Sequence, residues 1–80
     1  MVYPLYELNP GESAEIVWVI SEPPASLKLE ELGFISRAQV TCVMRGSRGC
    51  MSAYEIRGSV IALRAQNAKE VLVRPLKPRS

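Results

Sequence analysis

The sequence predicts a mainly β fold, a small closed β-barrel of about five strands with one short α-helix. Short segments of alternating apolar and polar residues predict the strands. Frequent Pro and Gly signals break the chain between them, and a single amphipathic stretch is long enough for about two helical turns.

Leu5–Leu8 forms a short lead-in that ends at Asn9-Pro10-Gly11, where Pro fixes φ and Gly accepts positive φ. Ala14–Ile20 reads as the first full strand, with Ala14, Ile16, Trp18 and Ile20 on one face and Glu15, Val17 and Val19 on the other. This places Trp18 in the core. Ser21-Glu22-Pro23-Pro24 stops the strand, because proline cannot donate to the ladder. Ala25, Leu29 and Leu32 then recur at helical spacing between Lys28, Glu30 and Glu31, and Gly33 stands where a left-handed cap is wanted. Phe34 and Ile35 follow as core plugs.

Gln39–Arg45 alternates again, with Val40, Cys42 and Met44 on one face. Gly46-Ser47-Arg48-Gly49 is a loop by composition. Met51–Ile56 and Ser59–Leu63 are two strands joined at Arg57-Gly58, for which a type I turn with a glycine bulge is expected. Arg64–Ala68 makes a helical turn and Glu70–Arg74 the last strand. The single domain covers residues 5–75, and residues 76–80, rich in Pro and basic side chains, form a disordered tail.

Eighty residues make one domain. A chain of this size buries about 60% of its unfolded surface, so stability is modest. Hydrophobic residues at 48% suffice for one core. The net charge of +2 is too small to argue for nucleic acid. Its distribution is uneven: residues 1–40 hold six acidic and two basic side chains, and residues 41–80 two acidic and eight basic. Strands interleaved from both halves would mix these charges over a solvated surface. Two cysteines make no disulfide framework, no secretory signal is visible, and no uncharged apolar run reaches membrane-spanning length. A cytoplasmic location with reduced thiols is expected.

Catalysis needs a positioned acid, base or nucleophile, and the chain has no histidine to serve a Ser or Cys nucleophile. Glu30 and Glu31 are adjacent, so on a helix they diverge by about 100° and cannot converge on one substrate. The expectation is a protein that is not an enzyme. For metals the chain offers carboxylates and two thiols. Cys42 reads as a small core hydrophobe, and Cys50 beside Met51 is the candidate ligand for a thiophilic or divalent transition metal. Tyr3 and Tyr6 precede the first full strand and are expected to be exposed, which leaves a peptide groove as a minor reading.

The order of these elements resembles the ferrous iron transport protein A (FeoA) family over roughly residues 5–75. Leu8-Asn9-Pro10-Gly11-Glu12 is similar to the family's Leu-x-x-Gly lead-in, and Lys28-Leu29-Glu30-Glu31-Leu32-Gly33-Phe34 to its basic-Leu-x-x-Leu-Gly helix. Tyr54, Gly58, Ile61, Ala62, Leu63, Arg64 and Ala68 match its later strand pair, with Val71 and Val73 closing. Two places depart from the pattern: Ser36-Arg37 replaces a Pro-Gly, and Ser47-Arg48-Gly49-Cys50-Met51 keeps only the glycine of a Pro-Leu-Gly-Asp-Pro loop.

The resemblance implies an SH3-like β-barrel acting as a cytoplasmic accessory of ferrous iron transport. Its implied partner is the cytosolic region of FeoB, the membrane transporter, with membrane contact only through that partner. A similar fold forms the C-terminal domain of iron-dependent repressors, which gives the alternative of a transition-metal-binding regulatory domain. No cofactor is expected to be required, with Fe(II) or another divalent transition metal as a weak ligand. A weak homo-oligomer is compatible, and no nucleic-acid partner is expected. Loops and short helices on a barrel carry variable recognition. Leu29 and Gly33 of the helix, and Arg48, Gly49, Cys50 and Met51 of the loop, are therefore the candidate partner-binding residues.

Overall fold

The computed structural model describes residues 1–47 and 50–76. Arg48, Gly49 and the tail from residue 77 onward lie outside the described residues. The elements in chain order are β1 (Tyr3–Pro4), a 3-10 turn (Leu5–Glu7), β2 (Ser13–Val19), α1 (Ala25–Glu31), β3 (Gln39–Met44), β4 (Met51–Ile56), β5 (Ser59–Arg64), α2 (Ala65–Ala68) and β6 (Val71–Pro75). The strands form one antiparallel sheet in the order β1-β6-β2-β3-β4-β5. The mainly β expectation holds, with six strands where about five were expected and two short α-helices where one was. The closed barrel does not form: the sheet ends at β1 and β5, and no ladder joins them among the described residues. β1, only two residues long and ending in Pro4, offers too little edge to close on.

The core fills one side of this sheet. Ala14 and Ile16 from β2, Val40 and Cys42 from β3, Tyr54 and Ile56 from β4, and Val71 and Val73 from β6 are buried at alternating positions. Leu5 and Leu8 cover one part of the core, and Leu29 and Phe34 another. Among the described residues no helix is long and apolar enough to cross a membrane.

Strict alternation fails at two places, each at a register shift. On β2, Ile16 faces Val73, but Trp18 then faces Leu72, so two residues of β2 span one of β6. This bulge reverses the faces beyond it: Trp18 is 64% exposed and Ile20 is also exposed, correcting their expected core positions. On β3 the shift falls between Cys42, opposite Tyr54, and Met44, opposite Ala53. Met44 is consequently exposed instead of sharing the inward face of Val40 and Cys42.

The β4–β5 ladder runs without a break from Met51↔Arg64 to Ile56↔Ser59. The connection is therefore two residues long, with both Arg57 and Gly58 at positive φ (54° and 78°). That is the pattern of a type I′ turn, whose twist matches the strands, and it replaces the expected type I turn with a bulge. Tyr3 and Tyr6 are half-buried rather than exposed, because both pack against the core cluster.

Candidate functional site

α1 has no side-chain cap at its N-terminus, and its C-terminus is closed by backbone. The Gly33 N–H donates to the Glu30 carbonyl at 3.0 Å and the Phe34 N–H to the Leu29 carbonyl at 3.0 Å. With Gly33 at φ 105°, these bonds make a Schellman motif, and Leu29 and Phe34 enter the same core cluster behind it. The cap thus fixes the direction in which the helix points its apolar side. Arg57 of the β4–β5 turn lies against the cap, since a Cβ at Gly33 would stand 3.1 Å from the Arg57 Cδ.

Between α1 and the end of β5 runs a groove of about 200 Å³. Ala25, Lys28, Leu29 and Leu32 form its helix wall. Ala62, Leu63 and Arg64 of β5, Met51 of β4 and Asn67 of α2 form the opposite side. Its volume falls below the roughly 300–1,000 Å³ usual for small-molecule pockets, so it suits one or two side chains of a partner better than a cofactor. Leu29 and Leu63 are buried, Leu32 is half-buried, and Met51 is exposed at the mouth. Lys28 and Arg64 are exposed cations at the rim, and among the described residues no carboxylate lines the groove.

The groove unites part of the sequence-derived set. Leu29 and Met51 meet there from segments more than twenty residues apart. Gly33 is buried under the Arg57 side chain and acts as a cap. Arg48 and Gly49 lie outside the described residues. Gly46 holds the base of their loop against the sheet. Its N–H donates to Ser52 Oγ at 3.1 Å, and a Cβ there would stand 2.2 Å from the Met51 carbonyl oxygen. Lys28, Leu63 and Arg64 were not singled out as binding residues from the sequence. Leu63 and Arg64 carried only family resemblance, and nothing local to them indicates a helix across the way.

The two thiols behave differently. Cys42 is buried in the core, and that burial raises its pKa, with Arg45 acting against the rise and Glu12 adding to it. Cys50 is exposed, and Ser47 Oγ donates to its Sγ at 3.9 Å. Both are free thiols. Among the described residues no group of three His, Cys, Asp or Glu side chains gathers at one place. Glu30 and Glu31 are both exposed on α1. A second hollow, of about 520 Å³, lies beside Tyr3, Glu7, Leu8 and Glu12. There the Tyr3 phenol pKa is raised, first by burial and then by the two carboxylates.

The sequence profile of the FeoA domain matches residues 3–75, nearly the whole chain. The chain belongs to the FeoA family. A crystal structure of an iron uptake regulatory protein, FeoA, superposes with a TM-score of 0.86 at 28% identity, covering 95% of this chain and 100% of that one. The zinc complex of FeoA from Stenotrophomonas maltophilia, described as a prokaryotic SH3 domain protein, gives a TM-score of 0.78 at 29% identity, covering 89% and 88%. A manganese-dependent transcriptional repressor shares the fold, with a TM-score of 0.85 at 14% identity over 94% of this chain and 42% of the repressor. No curated protein matches the sequence. Membership implies a role in ferrous iron transport, and FeoA is an accessory, transport-related domain rather than a known enzyme family.

Proposed function

We propose that this FeoA domain is a non-enzymatic accessory of ferrous iron transport that docks on the cytosolic region of FeoB through the α1–β5 groove. The observation that carries this reading is the convergence of Leu29, Leu32, Leu63 and Met51 on one narrow cleft that, among the described residues, has cations and no carboxylate in its lining. Family membership supplies the transport context. A cleft of this size takes an apolar side chain as an anchor, and buried anchors of that kind dominate the energy of protein interfaces. Fe(II) enters this reading as the transporter's cargo.

Calorimetric titration into the cytosolic region of FeoB, with and without guanine nucleotide, tests it. Met51→Glu places a carboxylate at the mouth of the groove from an exposed position, and is expected to weaken association by about tenfold or more while the melting curve is retained. Undiminished binding by this variant removes the groove. Absence of binding by the wild-type protein under all conditions removes FeoB as the partner.

A further inference from the structure

The cations at the groove's rim belong to a longer series. Arg64 lines both the groove and an adjoining hollow, which it shares with Lys69 at the far end of α2. Lys69 in turn reaches the Tyr6 ring, with its Nζ 5.2 Å from the ring centroid. The Arg45 guanidinium approaches the same ring to 4.9 Å. Lys28, Arg64, Lys69 and Arg45 are thus linked stepwise from the helix, around the end of β5 and α2, to the end of β3.

These four side chains are all exposed. The one ion pair among the described residues, Glu15 with Arg74, lies elsewhere on β2 and β6. Since Arg45 and Lys69 reach one ring, their charges lie within roughly 10 Å of each other, about one Debye length in dilute physiological salt. Tyr6 holds them by the attraction of its π-face, which leaves their hydrogen-bond donors available. Glu70, the one acid among the described residues that line the adjoining hollow, accepts a hydrogen bond from Ser21 Oγ at 2.5 Å. Like charges gathered in this way, outnumbering the one neighbouring carboxylate and forming no ion pair with it, favour an anionic partner.

We infer that the groove and this basic track form one recognition surface. It takes a protein segment in which an apolar anchor is followed by several carboxylates. The anchor enters between Leu32 and Met51, and the carboxylates meet Arg64, Lys69 and Arg45 in turn. The absence of carboxylates from the groove among the described residues and the exposure of all four cations fit an acidic peptide. Among the described residues Tyr6 is the one aromatic ring these cations contact, too few stacking faces for successive bases, which argues against single-stranded nucleic acid. The inference deepens the docking reading and rests on it for the identity of the partner, but the chemistry of the segment can be tested separately.

Two measurements separate the claims. In the first, Arg45→Glu combined with Lys69→Glu is titrated into the FeoB cytosolic region beside the wild type, with Arg45→Gln and Lys69→Gln as the milder pair. The charge reversal is expected to weaken binding about tenfold or more and to flatten its salt dependence, the Gln pair falling between. Wild-type binding left unchanged by both pairs overturns the track and leaves FeoB docking intact.

In the second, amide shifts are followed by NMR on adding a short oligoglutamate peptide carrying an N-terminal leucine, with an oligolysine control. Shifts at Arg45, Arg64 and Lys69 with the acidic peptide alone support the track, even where FeoB does not bind. The absence of shifts, or tighter binding of an oligonucleotide at the same residues, overturns it.

Discussion

Tyr54 sits in the core with its phenol oxygen fully buried and no hydrogen-bond partner among the described residues. Ser52 lies close enough to draw the phenol's pKa down against the effect of burial, yet no well-formed hydrogen bond joins the two, and Ser52 Oγ accepts from the Gly46 N–H. A buried hydroxyl without a partner costs about 1–3 kcal/mol of desolvation, whereas the ring contributes packing that phenylalanine reproduces. Tyr54→Phe is therefore expected to leave stability unchanged or to raise it by up to about 1 kcal/mol in urea unfolding. A clear loss would reveal a hydrogen bond made in solution. Trp18 shows the opposite economy of placement, a large aromatic ring on the surface although its sequence position suggests the interior.

At the scale of elements, α1 depends on its C-terminal cap. Gly33→Ala forces a Cβ into a left-handed backbone position, which costs about 1–2 kcal/mol. The nearby Arg57 Cδ belongs to a flexible side chain and can move aside. The expected outcome is a loss of about 1–2 kcal/mol in denaturant unfolding that Arg57→Ala does not rescue, because the strain is in the backbone. This cap was legible in advance, since a glycine after Leu29 and Leu32 has few other reasons to be there. β4 was equally legible, as its ladder with β5 has no interruption. The outer halves of β2 and β3 were not. A bulge changes the face of Trp18 and Met44 without altering the residue types that define periodicity, and its position is set by the partner strand. The groove was legible only as two separate segments, because the wall bearing Leu63 and Arg64 is brought to α1 by tertiary packing. Resemblance supplied the family and fold, while the track through Tyr6 depends on contacts among residues widely separated in sequence.

Considered as a whole molecule, the protein keeps two neutral acids, Cys42 and Tyr54, inside one core. Burial is the main cause raising both pKa values, and the Cys42 charge adds to the rise at Tyr54. The fold favours their protonated forms, so as pH climbs through the ordinary thiol and phenol range the unfolded chain releases these protons first. Stability is complete below that range and falls as pH rises through it. Urea midpoints measured across the alkaline range are expected to decline, and Tyr54→Phe to flatten the upper part of the decline. A flat profile in the wild type would mean that neither group resists ionisation. The uneven charge along the sequence is only partly mixed by the fold: β6 carries Arg74 to Glu15, whereas Arg45, Arg64 and Lys69 gather along one track. The position of β6 between β1 and β2 also bears on the order of assembly. During synthesis the strands from β2 to β5 emerge in the order in which they pair, yet β1 and the outer side of β2 wait for the strand made last. Closing that gap joins segments separated by most of the chain, an entropic step that local hairpins do not face. Until then the apolar inner residues of β2 lack their cover, so a ribosome stalled before β6 would hold a sticky intermediate rather than a smaller folded domain.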